Sequence, residues 1–321
     1  MSPTVAVLGT RYADLSIEEE VLGPLGVQLR RGTGADAAAI VEVAGDADVI
    51  VTGSRPRFDA EVLGRLRCRG IVRAGVGVET VDLDAARRLG VWVANVPDYG
   101  TEAVAQHTLA LVLAANRRLI EAHRLVSDGG WGVTELAPLH LPSTLVAGVI
   151  GFGRIGRRVA QLLAAVGFAR VLAHDAAARP EGPGVEARDL DDLLSESDVV
   201  TLHVPAAADG AALLDAARLA RMRPGSVLVN TARGVLVDAT ALASALAEGR
   251  PRVAALDVFA TEPPDLGVYA DVIDRLILSP HMAWYTEQTQ RDLRRRTAQE
   301  ARRLLRGEPP RNPVARPETP A

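Results

Sequence analysis

Three side chains of complementary chemistry stand at the ends of apolar runs in the second half of the chain. They are Arg233 in Asn230-Thr231-Ala232-Arg233-Gly234, Glu262 in Asp257-Val258-Phe259-Ala260-Thr261-Glu262-Pro263, and His281 in Ser279-Pro280-His281. A guanidinium offers a planar fork to a carboxylate and a neighbouring carbonyl oxygen. An imidazole gives or takes a proton near neutral pH. A carboxylate bonded to the far ring nitrogen fixes the ring and stabilises its charged form. Together, an anion-binding fork and an oriented acid–base pair suggest that something is reduced or oxidised there. Taken singly, each has an ordinary reading: an ion pair, a turn, a helix cap. Their shared position at strand ends of one alternating unit favours chemistry.

All three follow a glycine loop, Gly151-Phe152-Gly153-Arg154-Ile155-Gly156. The run Leu145 to Ile150 reads as a buried strand feeding that loop. Arg154 to Val166 reads as a helix with Ile155, Val159, Leu162 and Leu163 on one face. Gly151 allows a tight turn, Gly153 lets backbone approach a pyrophosphate, and Gly156 lets the helix pack on the strand. The helix start at Arg154 and Ile155 offers N–H groups to phosphate. Asp175 closes the next strand roughly 20 residues later, where an acidic side chain accepts ribose hydroxyls and repels a 2′-phosphate. The expected cofactor is therefore NAD. His203, before Val204-Pro205, is expected to line the same cleft without doing chemistry.

The elements that must position these residues alternate strand and helix. Val5 to Leu8, Ala47 to Thr52, Ile71 to Arg73 and Val91 to Asn95 read as strands, separated by helices such as Ala60 to Leu66 and Leu83 to Leu89. Thr101 to Ile120 reads as one long crossover helix. Ser127 to Pro142 is less regular. A second set of strands runs from Leu145 to Leu278, and Glu287 to Arg306 forms the last helix. The proline-rich tail, Pro309 to Ala321, is expected to be poorly ordered unless it packs on something. This is the pattern of parallel sheets wrapped by helices, and 321 residues suffice for two such cores.

Composition excludes several classes. The chain holds no lysine, which removes Schiff-base, pyridoxal-phosphate and Walker A chemistry. Its net charge of -4 and lack of a long basic block argue against a nucleic-acid partner. The densest basic stretch, Arg291 to Arg306, is interrupted by Asp292 and Glu300 and reads as one solvated helix face. A single cysteine, Cys68, excludes an internal disulfide and reads as a structural thiol in a reducing, cytoplasmic setting. No apolar run is long enough to span a bilayer and no leader pattern is visible. No histidine or carboxylate pair has zinc-ligand spacing, so no metal is expected. His107, within the long helix, is expected to be packed or bonded to backbone.

Together with Arg73-Ala74-Gly75-Val76-Gly77, these motifs resemble the D-2-hydroxyacid dehydrogenase family. That family includes phosphoglycerate, glycerate and formate dehydrogenases and the C-terminal-binding-protein corepressors. The likeness runs from about Ile71 to about Arg306, and His281 to Gln288 is most similar to the corepressor branch. It implies two doubly wound α/β domains. A flavodoxin-like substrate domain would comprise residues 1–100 and 287–321, and a Rossmann NAD domain residues 101–286, with hinges near Val96 to Thr101 and Thr286 to Gln290 that close over the substrate. It implies that backbone N–H groups around Val76 and Gly77 receive the substrate carboxylate. Thr231 and Asp257 would hold the carboxamide side of the nicotinamide, and Val204 would lie near the adenine. Arg233, Glu262 and His281 take the catalytic roles derived above. Tyr99 and Trp284 are candidates for the pocket wall. The implied activity is NAD-dependent reduction of a small 2-oxo acid, or oxidation of the D-2-hydroxy acid, in a homodimer. An NAD(H)-sensing scaffold with little turnover is the alternative. The chain departs from the family at Ala206-Ala207-Ala208-Asp209-Gly210, where hydroxyl contacts near phosphate are missing, and at Leu141-Pro142 and Glu79-Thr80. Arg55 and Arg57 keep a phosphorylated or phosphonate substrate open.

Overall fold

The computed structural model describes residues 2–10, 12–207 and 209–318. Ala208 of the alanine run and Pro320 of the tail lie outside the described residues. The chain opens with β1 (Thr4–Leu8), α1 (Ser16–Leu22), β2 (Gln28–Gly32), α2 (Ala37–Ala44), β3 (Val49–Thr52), α3 (Ala60–Gly64), β4 (Gly70–Arg73), α4 (Leu83–Arg88) and β5 (Trp92–Ala94). It continues through α5 (Thr101–Asn116), α6 (Leu119–Ser127), β6 (Val146–Ile150), α7 (Arg154–Val166), β7 (Arg170–His174), β8 (Val185–Ala187) and α8 (Leu190–Glu196). Next come β9 (Val199–Leu202), α9 (Ala216–Arg221), β10 (Val227–Asn230), α10 (Ala239–Ala247), β11 (Val253–Leu256) and β12 (Leu276–Leu278). The last elements are α11 (Glu287–Leu305) and β13 (Pro313–Ala315). Two compact units result, one from Met1–Gly100 with Thr286–Ala321 and one from Thr101–Tyr285.

The first unit carries a sheet in the order β13-β5-β4-β3-β1-β2. Its five leading strands are parallel in the 2-1-3-4-5 order of flavodoxin-like folds. Every residue of β1 and β3 is buried, as expected for strands covered on both faces. Asp36, Asp59 and Asp82 cap α2, α3 and α4 by accepting the backbone N–H of Ala39, Val62 and Ala85. The tail does pack: β13 pairs antiparallel with β5. The expected solvated face of the last helix holds for Arg291, Arg295 and Arg306 but not for Arg294 and Glu300. Leu293, Thr297, Ala298, Ala301 and Leu304 of α11 are buried at three-to-four spacing, and Arg294 and Glu300 go under with them. Arg294 is compensated by the Glu18 carboxylate at 2.6 Å and lies over the Tyr12 ring at 4.6 Å.

The second unit holds seven parallel strands in the order β12-β11-β10-β9-β6-β7-β8. Read from β8 to β11, this is the 3-2-1-4-5-6 order of dinucleotide folds, extended by β12. One core lies between β6, α5 and α7, around Val112, Val149, Val159 and Leu163. The other gathers Leu193, Leu202, Leu228, Leu242 and Leu256 on the opposite face. The single crossover helix expected over Thr101 to Ile120 is broken. Arg118 takes a left-handed φ of 49°, ending α5 and starting α6. Cys68 is buried, and burial pushes its thiol up to about 12. No helix among the described residues is long and apolar enough to cross a membrane.

Candidate active site

The strand β6 runs directly into the glycine loop. Gly151 has a φ of +93°, and a Cβ there would lie 2.5 Å from the His203 carbonyl oxygen. At Gly156 a Cβ would lie 1.8 Å from the Gly151 oxygen, so helix and turn are in backbone contact. Gly153 differs: nothing lies within 4 Å of its Cβ position. It is also the N-cap of α7 and supplies no side-chain acceptor. The first-turn N–H groups of Arg154, Ile155 and Gly156 therefore remain for an anion. Asp175 receives the Phe152 N–H at 2.7 Å and the Ala177 N–H at 2.9 Å, and these bonds hold its carboxyl below the usual range. An open Gly153, an uncapped helix and an ionised Asp175 fit the pyrophosphate and ribose of NAD. His203 closes the loop from the β9 side, its N–H bonded to the Ile150 oxygen at 2.7 Å. Its buried Nε2 has no hydrogen-bond partner among the described residues, and burial pushes the ring down to about 3. The ring is thus neutral. Val204 packs where a Gly151 side chain would stand.

The acid–base pair is assembled on the loops after β11 and β12. His281 Nδ1 lies 2.8 and 3.0 Å from the two Glu262 oxygens. Glu262 also accepts the Phe259 N–H at 3.1 Å. An ionised carboxylate only accepts, so Nδ1 carries the proton and Nε2 is left for a substrate oxygen. His281 sits at a left-handed φ of 53°, a conformation that must be held by its surroundings. Asp257 does the holding. Its backbone oxygen accepts the His281 N–H at 2.8 Å. Its carboxylate accepts the Ser279 hydroxyl at 2.5 Å, the Met282 N–H at 3.0 Å and the Ala283 N–H at 2.9 Å. The Asp257 carboxylate is fully buried beneath the loop that carries His281.

Arg233 begins a short 3-10 turn after β10. The Asn230 side chain staples this turn, donating to the Arg233 oxygen at 2.8 Å and accepting from Ala232 N–H at 3.0 Å. A Cβ on Gly234 would lie 1.9 Å from the Phe259 carbonyl carbon. The Arg233 turn is thus pressed against the segment whose N–H binds Glu262. Arg233 Nη1 donates to the Ala232 oxygen at 2.8 Å. Thr231 is buried, its hydroxyl 2.9 Å from that of Thr108. Trp284 is half-buried and edge-on to Tyr285 at 5.6 Å.

In the first unit, the Asn95 side chain donates to the Val76 oxygen at 2.7 Å and shapes the Gly75-Val76-Gly77 turn. Val76 is exposed and Tyr99 half-buried.

Two site residues escaped sequence reasoning. Ser279 is legible in the sequence only as the first residue of Ser279-Pro280-His281. His107, expected to meet backbone or core, lies 3.1 Å from the Ser279 hydroxyl. Only the spacing of polar residues within an apolar helix hinted at this. Among the described residues no cluster of histidine, cysteine and carboxylates could hold a metal ion.

A Rossmann-ordered sheet with an open glycine loop and a histidine–carboxylate pair on its strand-end loops defines a dinucleotide-binding α/β protein. The family model for the NAD binding domain of D-isomer specific 2-hydroxyacid dehydrogenases matches residues 109–283. The chain belongs to that family, and those residues are its NAD binding domain. It is 38% identical over 287 residues to a D-3-phosphoglycerate dehydrogenase of Mycobacterium leprae, covering 88% of this chain and 54% of that protein. It is 35% identical over 288 residues to a glyoxylate reductase of Aeropyrum pernix, covering 86% and 85%. Among solved structures it is similar to an Aquifex aeolicus D-lactate dehydrogenase complexed with NAD and lactic acid. The TM-score is 0.86 at 28% identity, over 98% of this chain and 100% of that one. The chain spans about half the length of the phosphoglycerate dehydrogenases it matches.

Proposed function

We propose that the protein is an NAD-dependent dehydrogenase that interconverts a small 2-oxo acid and its D-2-hydroxy acid. The observation that carries this reading is the Glu262–His281 pair, with Nδ1 locked on the carboxylate and Nε2 left for the substrate oxygen. NAD, when bound, accepts or supplies the hydride at the substrate carbon. His281 then delivers the proton to the carbonyl oxygen during reduction and removes it during oxidation. Glu262 keeps the ring in one tautomer and balances the imidazolium. Arg233 binds the substrate carboxylate and polarises the carbonyl. The N–H groups around Val76 and Gly77 receive the same carboxylate, and Trp284 and Tyr99 contact the substrate side chain. Asp175 selects NAD over NADP through its charge.

Steady-state oxidation of NADH tests this reading. The panel comprises glyoxylate, pyruvate, longer apolar 2-oxo acids and a phosphorylated three-carbon 2-oxo acid. Turnover of at least one acid is expected, and activity with NADPH well below that with NADH. Tight NADH binding with no turnover on any acid would favour a sensing scaffold instead.

We further propose a homodimer formed through α6 and the segment that follows it. Leu119, Val126, Trp131, Val133 and Leu141 are exposed there, with Trp131 at 86%, and grouped exposed apolar side chains mark contact sites. Native mass measurement is expected to give twice the chain mass. A monomer at micromolar concentration would refute the proposal.

A further inference from the structure

Helix α5 touches both loops that carry the chemistry. His107 Nε2 lies 3.1 Å from the hydroxyl of Ser279, two residues before His281. Thr108, the next residue, lies 2.9 Å from the hydroxyl of Thr231, two residues before Arg233. The direction of these bonds follows from counting protons. Ser279 has one hydroxyl proton, and the Asp257 carboxylate at 2.5 Å takes it. The Ser279 oxygen is then an acceptor toward His107, so His107 Nε2 must carry a proton. Thr108 in turn gives its proton to the Val104 oxygen at 2.8 Å, so Thr231 donates to Thr108. The result is a directed chain from His107 through Ser279 to Asp257. Asp257 is the group from which Met282, Ala283 and the strained His281 backbone are hung.

We propose that His107 is a positioning residue for His281. By donating to Ser279 it directs the serine proton onto Asp257, and so holds the 279–283 loop in the one geometry that points the imidazole at Glu262. His107 Nε2 also lies 3.6 Å from the Asp257 oxygen, so removing it frees the serine hydroxyl to turn away and takes a polar neighbour from the buried carboxylate, and the loop it organises relaxes. The inference rests on the reading of His281 as the proton donor, but half of its test does not.

The test compares the wild-type protein with His107→Leu, His107→Gln, Ser279→Ala and the double variant His107→Leu/Ser279→Ala. Hydrogen exchange of the peptide covering residues 279–285 is read first, then NADH affinity, kcat and KM with the best acid of the panel. His107→Leu is expected to speed exchange at Met282 and Ala283 and to lower kcat about tenfold or more, because small misplacements of reacting groups are costly. NADH affinity should stay within about twofold of wild type and KM should change less than kcat, since Arg233 and the glycine loop, which bind the carboxylate and the cofactor, lie outside this loop. Glutamine keeps an N–H donor on a side chain of similar reach, so His107→Gln should recover most of both losses. In the Ser279→Ala background, His107→Leu should add little, as expected for groups in one network. The proposal is overturned if His107→Leu leaves exchange or kcat at the wild-type level. It is equally overturned if leucine and glutamine are alike defective, or if the two substitutions add independently. Should the wild type reduce no acid, the functional reading fails, and the exchange comparison alone decides whether His107 holds the loop.

Discussion

The two sheets use glycine at their carboxyl ends in opposite ways. In the first unit Gly9, Gly34 and Gly53 follow β1, β2 and β3, and all three remove side chains so that loops can close. A Cβ would meet Pro56 at 2.5 Å from Gly9 and at 2.8 Å from Gly34, and the Gly9 oxygen at 2.2 Å from Gly53. The neighbouring helices α2 and α3 are capped by their own aspartates. In the second unit Gly151 and Gly156 are just as crowded, but Gly153 faces open space and caps α7 with no side chain. Ligands of open α/β sheets bind in the crevice at this edge, so one unit has filled the place that the other keeps for a phosphate. In the second sheet an open Cβ direction at Gly153 coincides with an uncapped helix, the combination that suits a phosphate.

That contrast can be broken by substitution. Gly53→Ala drives a methyl into a backbone oxygen and is expected to cost about 3 kcal/mol of stability, at the upper end for overpacking, while NADH affinity is unchanged. Gly153→Ala should do the reverse, leaving the denaturation midpoint nearly fixed while NADH affinity falls about tenfold, or ~1.4 kcal/mol, as its methyl enters the phosphate space. Denaturant titration and NADH fluorescence on both variants read the two effects. Loss of affinity in Gly53→Ala, or unaltered affinity in Gly153→Ala, would erase the distinction.

A smaller effect sharpens it. His203, packed behind the open loop, is held neutral because burial lowers its pKa from 6.5 to about 3. The unfolded chain therefore binds a proton that the folded chain refuses. The stability linked to this residue is complete above pH 6.5 and is lost as pH falls toward 3. The slope from one such group approaches about 1.4 kcal/mol per pH unit within that window. His203→Phe should flatten the dependence. Parallel curves for the two proteins would show that the ring is not held neutral.

Much of the site was legible in the residue types themselves. The glycine spacing, the aspartate after the next strand, and the arginine, glutamate and histidine at strand ends each carry a chemistry that few other residues supply. The parallel architecture was legible for a related reason: strands buried on both faces read as unbroken apolar runs. What escaped depended on tertiary partners. The edge strand β2 spells Gln28-Leu29-Arg30-Arg31-Gly32, which carries no apolar signal because one side faces water. Arg294 is buried only because Glu18, far away in sequence, neutralises it. The break at Arg118 has no glycine or proline to announce it. The part played by Asp257 beneath the His281 loop, and by His107 behind Ser279, needed the coordinates that bring α5 against the loop after β12.

The central claim is that His281, oriented by Glu262, moves the proton while the glycine loop holds the cofactor. The most direct test is His281→Ala, assayed with NADH and the best 2-oxo acid alongside an NADH titration. The expected result is a kcat lower by about 10²- to 10⁴-fold, the range typical for a lost general acid, with NADH affinity preserved. A variant that turned over within a few-fold of wild type, with its affinity for NADH intact, would contradict the account.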